Sequence, residues 1–281
     1  LLRTAVNFNT NGEFRSQDSY WLGCSRTFEQ ISNTELRGGP SSRWPGLWDL
    51  DIGFNTDQRR PVRLNLGAWA ALHDEDRRDE WQIWSSLVWQ PSNCLRLSAS
   101  PSYTRNLDRM QYVATAGSDL GDRYVFGTID QHTTALTFRA DLCLTPNLTI
   151  QYYGSPVVSA GRYHTFKRIT DPRADHYADR FAVYDDDQLT ATDDGYDVDE
   201  DGDGATDYSF GRPDFNVREF NSNLVVRWQY RLGSTLYLVW SQGRSDFVDD
   251  GEFDLGRDLD ALFAGPASDV FLVKVNTWIS L

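Results

Sequence analysis

The chain has 281 residues, a formal net charge of −14, 14% aromatic content and one methionine, Met110. That charge excludes a sequence-independent nucleic-acid binder, which needs a basic surface. Mean hydropathy is −0.53, and no run approaches the roughly 20 apolar residues of a membrane-spanning helix. A barrel strand needs only about 9–11 residues with one apolar face, so crossing a membrane by strands stays open.

Three cysteines, Cys24, Cys94 and Cys143, lie far apart without a CxxC pair or zinc spacing, and read as isolated thiols. Leu1 is not an initiator methionine and no signal peptide opens the chain, so a mature or truncated piece of a longer product is expected.

Along the chain, two-residue alternation is common and helical periodicity is hard to find. It predicts strands at about 1–9, 19–29, 46–55, 62–72, 80–90, 94–104, 110–117, 123–129, 134–144, 148–159, 215–230, 234–245 and 268–281. In 62–72, Val62, Leu64, Leu66, Ala68, Ala70 and Leu72 oppose Arg63, Asn65, Gly67 and Trp69. In 81–90, Trp81, Ile83, Leu87 and Trp89 oppose Gln82, Trp84, Ser86 and Gln90. In 136–144, Leu136, Phe138, Ala140, Leu142 and Leu144 oppose Thr137, Arg139, Asp141 and Cys143. In 224–230, Leu224, Val226, Trp228 and Tyr230 oppose Val225, Arg227 and Gln229. The final segment sets Phe271, Val273, Val275, Thr277, Ile279 and Leu281 against Lys274, Asn276 and Ser280. Several apolar faces end in Trp or Tyr, as an interfacial girdle does, and the strands are longer than in ordinary sheets.

Short turns rich in Pro, Asn and Gly fall near Gln58–Pro61, Pro91–Asn93, Thr145–Asn147 and Arg231–Gly233. Longer connections fall near Ser32–Pro45, His73–Asp79, Arg162–Pro213 and Asp246–Pro266. In an up-and-down meander, the short turns land on one side and the long connections on the other, the asymmetry of an outer-membrane barrel. The expected fold is all-β: an antiparallel up-and-down transmembrane β-barrel of about 14 strands with long external loops. One domain spans 1–281, with 161–213 as a long acidic external loop inserted between strands. Thirteen strands are counted, so one is miscounted or lies upstream of Leu1, because bacterial single-chain barrels have even numbers. The last strand is expected to close onto the first and remove both edges.

The sharpest motif is Asp199-Glu200-Asp201-Gly202-Asp203-Gly204-Ala205-Thr206-Asp207. Carboxylates of Asp199, Asp201 and Asp203, the Ala205 carbonyl and Asp207 would offer hard oxygens to Ca²⁺, with Gly204 at the sharp turn. A second register starts at Asp197 and turns at Gly202. The glutamate at the twelfth position of an EF-hand is missing, since Phe210 stands there, so the loop is closer to weak extracellular calcium loops; a solvated acidic loop is the other reading. A second acidic stretch, with Asp249, Asp250, Glu252, Asp254, Asp258 and Asp260, reads as a solvated external loop. His73, His132, His164 and His176 are scattered, with no HExxH, GxSxG or P-loop, so no catalytic residue is assigned and a non-enzyme is expected. His73 beside Asp74 and Glu75, or His176 near Asp175 and Asp179, would be the positions of a rim site. Asp49, Asp51, Arg63, Arg96, Arg139, Asp141, Arg227 and Gln229 are the expected lumen-facing polar residues. They either cross-link a closed lumen or line a polar path.

Several stretches together resemble an uncharacterised bacterial family, a domain of unknown function predicted to form an outer-membrane barrel. They include Leu36-Arg37-Gly38-Gly39-Pro40, Arg123-Tyr124-Val125-Phe126-Gly127, Thr145-Pro146-Asn147-Leu148 and Arg212-Pro213-Asp214-Phe215-Asn216. The longest is Ser222-Asn223-Leu224-Val225-Val226-Arg227-Trp228-Gln229-Tyr230-Arg231. The resemblance runs from about residue 36 to the end. It implies an outer-membrane address and a usual position C-terminal to a family-9-like carbohydrate-binding domain, and it brings no catalytic residues. Membrane lipid is the expected partner, with an upstream carbohydrate-binding domain or surface proteins as others. Three functions stay open: a porin-like channel or uptake component for small polar solutes or glycans, a structural barrel anchoring a surface assembly, and an outer-membrane enzyme.

Overall fold

The structure, a computed structural model, describes residues 4–118 and 121–279. Its strands are β1 (Ala5–Glu13), β2 (Ser19–Thr27), β3 (Gln30–Ser32), β4 (Ser42–Trp44), β5 (Leu47–Asn55), β6 (Val62–His73), β7 (Arg78–Ser92), β8 (Leu95–Ser118) and β9 (Gly121–Thr145). They continue with β10 (Leu148–Ile169), β11 (Phe181–Val183), β12 (Leu189–Ala191), β13 (Gly195–Val198), β14 (Tyr208–Gly211), β15 (Phe215–Arg231), β16 (Ser234–Val248), helix α1 (Leu255–Ala264) and β17 (Ser268–Asn276). One large sheet runs β1-β2-β5-β6-β7-β8-β9-β10-β15-β16-β17, every neighbour antiparallel, with β11 added to β10. Among the described residues no helix is long and apolar enough to cross a membrane.

The alternation in each strand becomes rows across the sheet, because cross-strand partners share a face. One row joins Val62, Trp89, Leu97, Ala140, Tyr152, Leu224, Trp240 and Phe271 over eight strands. The next joins Leu95, Leu142, Ile150, Val226, Leu238 and Val273. In the first half, Leu22, Ile52, Ala68, Ile83 and Tyr103 form another. Ile52, Ile83, Trp89 and Phe271 stand exposed, 75% in the case of Phe271. A contiguous exposed apolar surface of this kind is foreign to a chain that meets only water. The opposite face is polar, and its flattest part is the row Trp21–Gly53–Gly67–Trp84. A Cβ at Gly53 would lie 1.8 Å from the Trp21 ring, and one at Gly67 2.2 Å from the Trp84 ring, so the two indoles lie over the glycines.

The expected strands 110–117 and 123–129 are not separate elements. They continue β8 and β9, which reach 24 and 25 residues. Bulges between Asp108 and Gln111 and between Tyr112 and Ala114 let the ladder continue where the alternation breaks. Of the expected barrel of about 14 strands, the structure holds one large antiparallel sheet. Among the described residues β1 and β17 do not pair and form the two edges of the sheet. The physical reason is parity: strands one and eleven of an all-antiparallel meander run the same way, so antiparallel closure takes a further strand between them. Ser280 and Leu281, expected on the last strand, lie outside the described residues, as do Leu1 to Arg3 of the first.

The connections 14–18, 56–61, 93–94, 146–147 and 232–233 all lie at one end of the sheet. At the other end the long connections fold instead of remaining solvated loops. The extensions of β8, β9 and β10 carry a layer on each face, because the neighbours Val125 and Phe126 point opposite ways and both are fully buried. Val125 packs with Phe166, Val198, Tyr208 and Phe210, which brings in the sheet β12-β13-β14. Phe126 packs with Leu36 and Met110, against Tyr177 and Phe181. The long connection therefore starts after Ile169, not at 161, and it holds secondary structure.

The second acidic stretch is corrected in the same way: it contains α1, packed on β15, β16 and β10. Asp254 caps it by accepting from Arg257 N at 3.0 Å. Asp258 is fully buried and pairs with Arg218 and Arg257, each at 2.9 Å, while Asn216 Nδ2 donates to it at 3.1 Å. Removing one partner of a buried ion pair strands the other charge. Asp258→Ala is expected to cost roughly 3–5 kcal/mol in docking α1. Asp258→Leu with Arg218→Met recovers most of it. Amide exchange over 255–264 and urea unfolding measure both; a loss under about 1 kcal/mol for the single variant would refute this account.

Candidate functional site

The polar face of the sheet holds all eight residues expected to face a lumen, because each sits one residue out of step with the apolar rows. β5 places Asp49 and Asp51 toward the long-connection end. Ser25 Oγ donates to Asp49 Oδ2 at 3.2 Å, and the Asp51 carboxylate covers Gly23, where a Cβ would come within 2.0 Å. The others lie toward the short-turn end. Arg63 donates to the Gln58 carbonyl at 3.3 Å and to Gln90 Oε1 at 3.2 Å. Arg139 lies over the Tyr153 ring at 5.1 Å. Gln151 Nε2 donates to Asp141 Oδ1 at 3.1 Å. Arg227 stands between Thr149 and Tyr237, and Gln229 N donates to the Asn147 carbonyl at 2.7 Å. Arg96 and Asp141 are direct cross-strand partners, yet among the described residues no ion pair joins them.

The acidic motif is the tip of the β13–β14 hairpin. Asp199 Oδ1 accepts from Gly202 N and Oδ2 from Gly204 N, each at 2.8 Å. Gly202 and Gly204 have φ of 77° and 88°, the left-handed region that favours glycine. Asp207 Oδ2 accepts from Glu200 N at 2.7 Å. Carboxylate oxygens of Asp199, Asp201 and Asp207 lie within 4.8 Å of one another, a hard-oxygen set suited to a cation such as Ca²⁺. Asp203 is outside this trio and accepts from Ala205 N at 2.8 Å. Asp197, start of the second register, lies in β13 opposite Ser209.

Glu200 turns the other way and anchors the hairpin. Arg123 Nε lies 2.7 Å from it, Tyr208 donates to it at 3.0 Å, and Arg168 is 3.4 Å away. Burial pushes its carboxyl up, but these partners more than offset that and leave it below the ordinary range. Sequence reasoning counted Glu200 among the loop acids; its role depends on arginines 77 and 32 residues away in sequence.

At the same end, the 33–41 segment docks through Leu36 and Glu35. Glu35 pairs with Arg77, whose guanidinium lies 3.6 Å from the Trp44 ring centre. His73 Nδ1 is 3.1 Å from the Arg78 carbonyl and its ring meets Trp44 edge-on. His176 precedes a single 3-10 turn and makes no cap. His132 is held by Tyr103 Oη at 2.6 Å and stacks on Phe253 at 5.4 Å. That cluster was missed because its members come from β8, β9 and the approach to α1.

These features define a class: a large antiparallel meander with one continuous apolar face, one polar face and folded connections at one end. A family described as Domain of unknown function (DUF5916) matches residues 2–281, and the chain belongs to it. No curated protein matches the chain. Among solved structures, the NanC porin in a rhombohedral crystal form is 8% identical, with 98% of this chain and 99% of that chain covered and a TM-score of 0.29. The copper transporter OprC is 10% identical, with 97% of this chain and 41% of that chain covered and a TM-score of 0.43.

Burial raises the Glu35 carboxyl from the ordinary glutamate range to about 7. The docked state therefore holds a proton that the released segment loses, and docking weakens as pH rises from about 4.5 to 7. Protection of the 33–41 amides, relative to their intrinsic exchange rate at each pH, is expected to be greater at pH 5 than at pH 8, and Glu35→Gln should abolish that difference. Equal protection of the wild type at both values would contradict it.

Proposed function

We propose that the apolar face of this chain contacts the hydrocarbon of a bacterial outer membrane, and that its polar face lines a path for small polar solutes. The observation that carries this reading is the pair of faces. One apolar row crosses eight strands without interruption, and the alternate residues carry Ser, Thr, Asn, Gln and charged side chains, with Val88, Val225 and Tyr237 among them. In lipid every backbone group must find a protein partner, which antiparallel strands supply and open edges do not. Closure therefore takes one more strand between β17 and β1, which makes the number even. The family resemblance supports glycans as one solute class, through a carbohydrate-binding domain upstream.

A matched pair of substitutions tests the membrane reading. Leu87 lies on the apolar face between Trp81 and Trp89, paired with Leu64 and Ala99, and Ser86 is its neighbour on the polar face. Leu87→Arg is expected to lower stability in lipid vesicles by about 2–4 kcal/mol, while Ser86→Arg stays within roughly 0.5 kcal/mol. Urea titration of vesicle-folded protein reads both. Equal tolerance of the two, or monodisperse protein in water without detergent, would end the proposal.

A second reading, an anchoring barrel for surface proteins, is favoured by the two buried cores that make the long-connection end a firm platform. Co-purification of a stable partner with the full chain would support it over transport. Binding of Ca²⁺ by Asp199, Asp201 and Asp207, stiffening the hairpin tip, is a separable part of the proposal. Calcium at 100 times its dissociation constant is expected to stabilise the hairpin by about 2.7 kcal/mol. Asp199→Asn with Asp201→Asn should remove the gain, read by amide exchange over 195–211. No response of the wild type to millimolar Ca²⁺ would dismiss the site.

A further inference from the structure

The charges on the polar face are sorted by height. Register places Arg63, Val88, Ser98, Arg139, Tyr153 and Asn223 in one row. The next row toward the short turns holds Arg96, Asp141, Gln151 and Val225. The one after it holds Cys143, Thr149, Arg227, Tyr237 and Lys274. Five cations thus occupy three adjacent rows, about 14 Å of strand length. Asp141 is the acid in these rows, and it accepts from Gln151.

None of the five forms an ion pair among the described residues, and Arg96, Arg139 and Lys274 are exposed. Elsewhere the same chain pairs its arginines readily: Arg26 with Asp74, Arg105 with Asp130, Arg123 with Glu200, Arg218 with Asp258. The acids of the polar face lie at the other end. Glu80 and Asp108 there are engaged by Arg78 and Asp49 by Ser25, while Asp51 and Glu219 form no ion pair among the described residues.

We infer that Arg63, Arg96, Arg139, Arg227 and Lys274 form a belt that binds small oxyanionic solutes, those carrying carboxylate or phosphate groups. This inference rests on the reading of the polar face as an enclosed path. The argument is charge complementarity. Guanidinium forks with no carboxylate paired to them offer paired N–H donors that match the two oxygens of a carboxylate. Rings of Arg and Lys in a narrow, low-dielectric passage select anions. Lipid head groups are not the occupant, because the belt is on the face opposite the apolar rows. Ser98, Thr149 and Asn223 supply neutral hydrogen-bonding groups beside the cations, suited to a hydroxylated solute.

A chain of net charge −14 would otherwise favour cations, so the test is sharp. The full-length chain is placed in planar bilayers under a potassium chloride gradient, and the reversal potential is read. Chloride is expected to be favoured over potassium several-fold. Arg96→Gln, Arg139→Gln and Arg227→Gln together should bring the ratio to parity or below while conductance persists. Glucuronate should block the current at concentrations where glucose does not. In parallel, calorimetry on the detergent-solubilised chain should find saturable glucuronate binding, weakened about tenfold or more by the triple variant. Conductance that prefers potassium, or a ratio untouched by the triple variant, overturns the belt and leaves the channel standing. Variant-sensitive glucuronate binding without conductance upholds the belt and removes the channel. Neither conductance nor binding removes both.

Discussion

Everything in this protein hangs on the ladder of backbone hydrogen bonds between antiparallel neighbours. A strand exposes a donor and an acceptor at each residue, and both must be satisfied. Eleven strands meet that demand by pairing in chain order, each with the next strand of the sheet. The ladder fixes side-chain direction with a period of two, so a row of the sheet is all of one face. An apolar surface eight strands wide follows from small alternations that look unremarkable one strand at a time.

The same ladder governs the connections. Where β8, β9 and β10 outrun their neighbours, both faces need cover, and the chain supplies it from two distant segments. The β12–β14 sheet covers one face, and residues around Leu36, Tyr177 and Phe181 cover the other. Buried charges pin these layers. Glu200 is gripped by Arg123 and Arg168, Glu35 by Arg77, and Asp258 by Arg218 and Arg257. Such pairs are costly to desolvate and lend registry more than net stability. They explain how a chain this acidic keeps firm structure at the end richest in acid.

On the polar face the opposite holds. The cations near the short turns have no acidic ion-pair partner among the described residues, while Glu80 and Asp108 farther along are engaged by Arg78. A face built for stability alone would have interleaved the two signs. Gathering the cations in adjacent rows concentrates their field.

The amino-acid sequence alone determined the all-β class, the sides of the strands and the ends at which the turns lie. Alternation and turn residues are local, and a window of ten residues contains them. It also held a signal for α1 that alternation obscured: Asp254 as cap, Leu255, Leu259 and Leu262 at helical spacing, and Gly265-Pro266 as stop. Tertiary structure decided the rest. That β8 and β9 are single long strands depends on bulges, which break periodicity while the ladder continues. That Glu200 is an anchor and Asp199 a loop acid depends on where Arg123 arrives from another strand. The belt, too, exists only in register, since Arg63 and Lys274 come within three adjacent rows through the pairing of every strand between them. Local pattern sets which face a side chain takes; only the assembled ladder sets what stands beside it.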